Sequence, residues 1–327
     1  MVAVVRTLQR ALPSAVITWI TSTEAFQLLK GLEGVDFIVI DKPANLRDYI
    51  NFAKCYRHRQ FDVLIAAQAN LRANLLYPLI RAPVKIGFGW RRSRDGQWLV
   101  TNHHVPARPR QHLVDRFLAL LEPLGIQKQQ VNWSLPISEN DRQWAQQQLA
   151  GIDTPIIAVN PSASRQEKTW LAERYVSVIQ AAQKRWGAYI VLTGGTAAAE
   201  RELGDYILGH IPNGIRNLIG STSLKQLAAL LEQVDCLIAP DTGPAHVAVA
   251  VNTPVIGLWA IKPAWHSGPY CSELTVDRYA QAVRRLLGRD PNRIRWEIRI
   301  RKGNPMAFIQ VEDVLEKLAE FMATLQR

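Results

Sequence analysis

Cysteine is scarce. Cys55, Cys236 and Cys271 are the only three in 327 residues, odd in number and far apart. That spacing excludes a disulfide framework and a cysteine metal site, and it fits a reducing compartment. No stretch approaches ~18 unbroken apolar residues, so no membrane-spanning helix is expected. No basic segment followed by an apolar run and a cleavage site opens the chain, so export is not expected. GxxxxGK[ST] is absent, which excludes a P-loop, and no Asp-x-Asp pair argues for a metal. Low-complexity tracts and short-period repeats are missing too.

What is present is ordinary globular composition, 48% hydrophobic and 20% charged, long enough for two packed cores. Net charge is +11 and uneven. Residues 1–150 hold nineteen Lys and Arg against eleven Asp and Glu, and Lys54–Arg94 holds nine cations and one acid, Asp62. A solvated basic face is the plain reading. An anionic membrane surface, an anionic substrate and nucleic acid are the functional ones, and no recognised nucleic-acid motif supports the last.

The second half alternates apolar runs with helical spacing. "IIAVN", "AYIVLTGG", "IRNLIG", "DCLIAP" and "PVIGLW" read as strands. Between them, Leu171–Gly187, Ala197–Leu208 and the Ser/Thr-capped "STSLKQLAALLEQV" read as helices. This is the signature of parallel βαβ units covered on both faces. The first half repeats it less cleanly. "AVITWIT", "VDFIVID" and "FDVLIAA" are strand-like, and Ala44–Arg57, Asn70–Ile80 and His112–Leu124 are helical. "QLLKGLEGV" is a short helix, and the polar stretch from Val84 to Gln111 is expected to be a loop or short hairpin. Val5, Leu8 and Leu12 have helical spacing directly from Met1. A boundary near Ala150 divides two α/β domains, 1–150 and 151–327, and a last helix spans Val311–Leu325.

Three polar turns follow strands in the second half. In Asp241-Thr242-Gly243-Pro244-Ala245-His246 a strand hands over to a helix, whose free N–H groups and dipole attract phosphate. Thr242 offers a hydroxyl, and Gly243 lets an anion approach. An acid at 241 would repel phosphate unless it holds a metal, loop amides or a sugar hydroxyl. The plainer reading makes Asp241 a helix N-cap and His246 a satisfied helical histidine. "NPSASRQEKTW" brings Ser162, Ser164, Arg165, Lys168 and Thr169, or is only a polar turn. "TGGTAAAE" sets Gly194 and Gly195 before Glu200, for a nucleotide or merely a tight turn. Three such turns at the ends of strands in one sheet converge on one crevice.

Asp241–His246, with "NLIGSTSLKQLAALLEQVDCLIAP" before it and "NTPVIGLW" after, resembles the ADP-heptose:lipopolysaccharide heptosyltransferases of glycosyltransferase family 9. Lys168-x-Trp170 after "NPSAS" matches, as does "FDVLIAAQANLRANLLYPLIRAPVKIGF", so the resemblance covers almost the whole chain. It implies a GT-B fold: two Rossmann-like α/β domains with parallel sheets facing across a cleft, acceptor in the first and nucleotide-sugar donor in the second. It gives Lys168 and Asp241 catalytic parts. Thr242 and Gly243 meet the diphosphate, Lys168 neutralises its charge, and Ser164, with Ser162 beside it, faces phosphate. Asp241 and His246 hold the donor sugar, Thr222 lies near the base, and Glu200, after Gly194 and Gly195, takes the ribose.

The implied reaction moves heptose or a related sugar from a nucleotide-diphosphate donor such as ADP-heptose to a glycolipid or lipopolysaccharide-type acceptor. It needs no metal and no cofactor. The expected setting is the cytoplasm, with peripheral contact at the anionic inner face of the plasma membrane and no nucleic-acid partner. The family's opening strand and the Gly-Asp loop carrying its proposed general base match nothing here, and Met1–Arg6 corresponds to the helix after that loop. The chain is therefore expected to start one element late. The alternative function is an inactive nucleotide-sugar-binding protein.

Overall fold

The computed structural model describes residues 1–127, 130–294 and 298–325. The chain divides into two compact units, Met1–Pro136 and Ile137–Arg327.

In the first unit, α1 (Val2–Ala11) leads to β1 (Ile17–Thr21), α2 (Thr23–Leu29), β2 (Val35–Val39), α3 (Leu46–Tyr56), β3 (Val63–Ile65) and α4 (Leu71–Leu76). β4 (Val84–Phe88), β5 (His103–Val105) and α5 (Leu113–Leu118) complete it. Helix starts are locally encoded. Asn45 and Asp48 form a capping box on α3, and Asn70 Oδ1 accepts from Ala73 N at 3.0 Å on α4. The strands form two parallel sheets, β1-β2 and β3-β4-β5. These share a core in which Ile20 of β1 and Leu64 of β3 pack against buried Phe52, Leu76 and Ile80.

Two expectations change here. Val84–Gln111 is not only loop: it supplies β4 and β5, and all three ladder positions of β3 pair with β4. The short helix also falls earlier than "QLLKGLEGV", at Thr23–Leu29, because Ser22 caps it.

The second unit opens with α6 (Glu139–Leu149), so the division lies near Pro136 rather than near Ala150. Arg142 Nε donates to Glu232 at 2.6 Å, and Ala145 and Leu149 join the core of this unit, so α6 belongs to it. There follow β6 (Ile156–Val159), α7 (Ala172–Trp186), β7 (Tyr189–Leu192), α8 (Ala198–His210), β8 (Ile215–Asn217), α9 (Leu224–Leu231) and β9 (Cys236–Pro240). The chain continues through α10 (Gly243–Ala250), β10 (Val255–Trp259), α11 (Ala264–Ser267), β11 (Val276–Asp277), α12 (Tyr279–Ala282) and α13 (Val311–Leu325). The strands build one parallel sheet in the order β11-β10-β9-β6-β7-β8.

Every residue of β6, β9 and β10 is buried, as expected of strands covered on both faces. One cluster, including Ile179, Ile190, Ile207, Leu318 and Phe321, covers one face; Leu227, Leu230, Ala245 and Ala248 belong to the other. The sheet order positions the site. β7 and β8 extend from β6 on one side, and β9, β10 and β11 on the other. Strand order therefore reverses at the β6–β9 boundary, where open α/β sheets bind ligands beyond the strand ends.

Candidate active site

The loops after β6 and β9 leave the sheet side by side. Asn160 N donates to Ile238 O at 3.0 Å, carrying the ladder one residue past β6. The β6 loop then runs to a 3-10 turn, Gln166–Lys168, and is anchored by buried Trp170, whose Nε1 donates to Ile309 O at 3.1 Å. This brings Lys168 to the β9 loop. Its Nζ stands 2.7 Å from Asp241 Oδ2 and donates to Asp241 O at 3.0 Å. The two side chains are only 17% and 18% exposed.

Asp241 is thus not the helix cap. Thr242 is, and its hydroxyl makes no cap bond to α10. Thr242 Oγ1 is buried without a hydrogen-bond partner among the described residues. A buried orphan hydroxyl is uncommon and calls for a ligand or an ordered water. The first-turn N–H groups of an α-helix have no intrahelical partner, and Pro244 has none to offer. Gly243 has no positive φ, and a Cβ there would meet nothing within 4 Å. Neither backbone conformation nor packing requires glycine, and a side chain there would enter open space. An ammonium, a hydroxyl, helix N–H groups and room for approach thus stand together, a set of groups able to hold an anion.

The other expected residues fall as follows. Ser162 is buried, and its carbonyl accepts from Asn160 Nδ2 at 2.7 Å, whereas Ser164 is exposed on the same loop. His246 is exposed, one turn into α10. The loops after β7 and β8 are joined, with Gly220 N donating to Gly194 O at 3.0 Å. Glu200 Oε2 accepts from Gly195 N, and a Cβ on Gly194 would stand 2.9 Å from that oxygen. Glu200 Oε2 therefore closes its own turn. Thr222 is half-buried just before Ser223, whose side chain caps α9 with Gln226 in a capping box.

Sequence reasoning missed three contributors. Asn160 and Thr193 are both buried; Thr193 Oγ1 lies 3.4 Å from Asn160 Oδ1, and together they fix the β6 and β7 strand ends. Asp277, on the two-residue β11, accepts from Ala264 N at 2.7 Å and Tyr279 N at 2.8 Å, holding the loop after β10. The residue keeps an exposed edge, and desolvation by the surrounding chain raises its carboxyl above its ordinary value, against the pull of those two amides. The signal for Asn160 was its place directly after "IIAV"; β11 was too short to give one. Among the described residues, no three His, Cys, Asp or Glu side chains gather to hold a metal.

The arrangement is that of an open α/β sheet with a ligand site at its strand-order reversal, and comparison with known proteins gives the particular family. The model of glycosyltransferase family 9 (heptosyltransferase) matches residues 50–301. The lipopolysaccharide core heptosyltransferase OpsX of Haemophilus influenzae is 32% identical over 317 residues, 97% of this chain and 91% of that protein. The crystal structure of a family 9 glycosyltransferase from Veillonella parvula aligns with TM-score 0.79 at 21% identity, covering 99% of this chain and 92% of the other. The Escherichia coli heptosyltransferase WaaC, solved with ADP, aligns with TM-score 0.71 at 19% identity, covering 98% and 94%. This chain belongs to glycosyltransferase family 9. It is a glycosyltransferase, and its α/β fold with parallel sheets is the one seen in these structures.

Proposed function

We propose that this protein transfers heptose from ADP-heptose to a lipopolysaccharide-type acceptor. The observation that carries the donor assignment is the orphan hydroxyl of Thr242 beside the Lys168–Asp241 pair at the strand-order reversal. The heptose and the acceptor follow from the relatives' names: OpsX is a lipopolysaccharide core heptosyltransferase.

In the reaction an acceptor hydroxyl attacks the anomeric carbon and gives up its proton to solvent water, while the bond to the nucleoside diphosphate breaks and the diphosphate leaves as an anion. The leaving diphosphate gains negative charge, and stabilising it is the main task at this site. Lys168 Nζ neutralises that charge, and Thr242 Oγ1 and the first-turn amides of α10 donate hydrogen bonds to it. Asp241 orients Lys168 and accepts from sugar hydroxyls, with His246 on the same loop-to-helix turn. Ser164 faces phosphate, Ser162 shapes the loop beneath it, Thr222 lies toward the base, and Glu200 toward the ribose over Gly194 and Gly195.

Among the described residues no helix is long and apolar enough to cross a membrane. With the basic excess of residues 1–150, this supports a cytoplasmic enzyme meeting the anionic inner face of the plasma membrane peripherally.

The test is a donor panel. ADP-heptose, ADP-glucose, UDP-glucose and GDP-mannose are offered with heptose-deficient lipopolysaccharide, and released nucleotide and product glycolipid are both measured. Product from ADP-heptose alone is expected. Turnover of a UDP- or GDP-sugar in its place would sink the donor assignment.

A further inference from the structure

Seven of the fourteen exposed large apolar side chains among the described residues fall within residues 46–99 of the first unit. Scattered apolar side chains need no explanation, but a contiguous group does. Here the elements that carry them adjoin. Leu46 and Ile50 lie one turn apart on α3 in a stripe that continues to Lys54, and Leu71 and Leu75 repeat that spacing on α4. Tyr49 Oη donates to Arg72 O at 3.4 Å, so the two helices adjoin.

The loop after β4 packs on α4. Leu71 N donates to Asp95 Oδ2 at 3.0 Å, and Asn74 Nδ2 donates to Arg94 O and Asp95 O, both at 2.9 Å. That loop presents Trp90 and Leu99, 71% and 68% exposed. It is held firmly from beneath. Buried Gln97 receives Phe88 N at 3.1 Å and donates to Ala66 O at 2.8 Å and Gln68 O at 2.9 Å.

Charge identifies the occupant. Residues 46–99 carry ten Lys and Arg against three acids. Two of those acids are already engaged at helix starts: Asp48 accepts from Ala44 N and Asn45 N, and Asp95 accepts from Leu71 N. Each element opens with an exposed apolar residue followed by a cation: Leu46-Arg47, Leu71-Arg72 and Trp90-Arg91. The Arg91 guanidinium lies 5.4 Å from the Trp90 ring centroid. Trp and Arg alone would also suit a protein contact. The excess of ten cations over three acids across these elements, with apolar side chains between them, is what favours an anionic bilayer surface.

We propose that α3, α4 and the loop 90–99 seat this unit on an anionic bilayer. Leu46, Leu71, Trp90 and Leu99 enter the interfacial layer, and Arg47, Arg72, Arg91 and Arg94 meet lipid phosphates. The proposal deepens the peripheral membrane contact inferred above and rests on it. Its test uses neither donor nor acceptor, so it fails or stands apart from the transferase reading.

The purified full chain is sedimented with vesicles of phosphatidylcholine, with and without phosphatidylglycerol. Binding to the phosphatidylglycerol vesicles is expected, weakening with salt. Leu46→Ser/Trp90→Ser should lower the partition coefficient by about tenfold or more. Arg91→Glu/Arg94→Glu should lower it by at least about tenfold and remove most of the salt dependence. Both variants should keep the wild-type melting temperature and ADP affinity; if the first melts early, Leu71→Ser carries the same test. Three results would overturn the proposal. One is no wild-type binding to anionic vesicles. Another is wild-type binding that these substitutions leave unchanged. The third is a dimer in sedimentation velocity that the same substitutions split, which makes the surface a contact between copies of the chain.

Discussion

Lys168→Met tests the donor seat most directly. Methionine keeps the apolar stem of lysine and removes only the charge. The Lys168–Asp241 pair, at 2.7 Å, has a gross attraction of about 6 kcal/mol at an effective dielectric of ~20. Desolvation and lost rotamer freedom offset most of it, leaving about 1–3 kcal/mol for a pair that is neither fully buried nor exposed. Binding is affected more than stability. A hydrogen bond between ammonium and phosphate contributes about 1.5–3 kcal/mol. Without Lys168, the Asp241 carboxylate also faces the phosphate uncompensated, and at roughly 5 Å that repulsion is about 2–3 kcal/mol. The two losses sum to about 3.5–6 kcal/mol, so ADP should bind about 300- to 20,000-fold more weakly, as read by titration calorimetry at low salt. Asp241→Asn alone removes the repulsive charge, so ADP affinity holds or rises while sugar transfer falls. In Lys168→Met/Asp241→Asn the repulsion is absent, and about tenfold or more of the lost affinity should return. The two sites are thus coupled rather than additive. An ADP affinity for Lys168→Met within twofold of wild type would refute the placement. So would a double variant whose loss is the product of the two single losses.

Gly243→Ala should leave the melting temperature unchanged, since its Cβ enters open space, yet weaken ADP binding about tenfold or more by occupying the anion seat. Gly257→Ala should do the reverse: its Cβ would stand 2.8 Å from the buried Trp259 ring, so thermal stability falls by about 1–3 kcal/mol while ADP affinity per folded molecule holds. Trp170→Phe removes the buried bond to Ile309 O and should cost about 1–3 kcal/mol, or about 2–4 °C of melting temperature per kcal/mol, with a weaker Lys168 effect on ADP because the loop is loosened. Desolvation raises the folded-state carboxyl of the partly exposed Asp277 above its unfolded value, so its ionised form weakly opposes folding at neutral pH, solvent screening keeping the effect small. The contribution of this group becomes more favourable as pH falls through the raised folded value toward the unfolded one. Denaturant titrations across the acid range should show that slope reduced in Asp277→Asn; an unchanged slope contradicts it.

The second unit was legible because its strands are apolar on both faces. "IIAV", "CLIAP" and "VIGLW" are wholly buried, and no charged residue interrupts them. β4 was not legible because Lys85 and Gly87 break its run. The structure shows why it is a strand all the same: Lys85 Nζ donates to Tyr77 O at 2.8 Å, so the charge leaves the ladder. β5 has two exposed histidines in three residues, and only its pairing with β4 reveals it. α6 is polar enough to suit either unit, and its side is chosen by Arg142 reaching Glu232, ninety residues away.

The site shows the same division between local and topological information. Thr242, Gly243 and Pro244 announce a phosphate seat locally, because a hydroxyl, a missing side chain and a missing N–H each have meaning at a helix start. The acid beside them has no local explanation. A carboxylate next to bound phosphate is repulsive, and the helix cap is Thr242 rather than Asp241. Its explanation stands seventy-three residues earlier in Lys168, and it exists only because β9 pairs with β6 rather than with β8. Once paired, the two charges cancel before ligand arrives, and the helix start and Thr242 hydroxyl set the polarity of the opening. In the proposed reaction an arriving diphosphate draws on an ammonium that Asp241 already orients, so little reorganisation remains at the moment the leaving group gains charge. The acid is therefore compatible with a phosphate seat because its charge is spent on the residue that binds the phosphate.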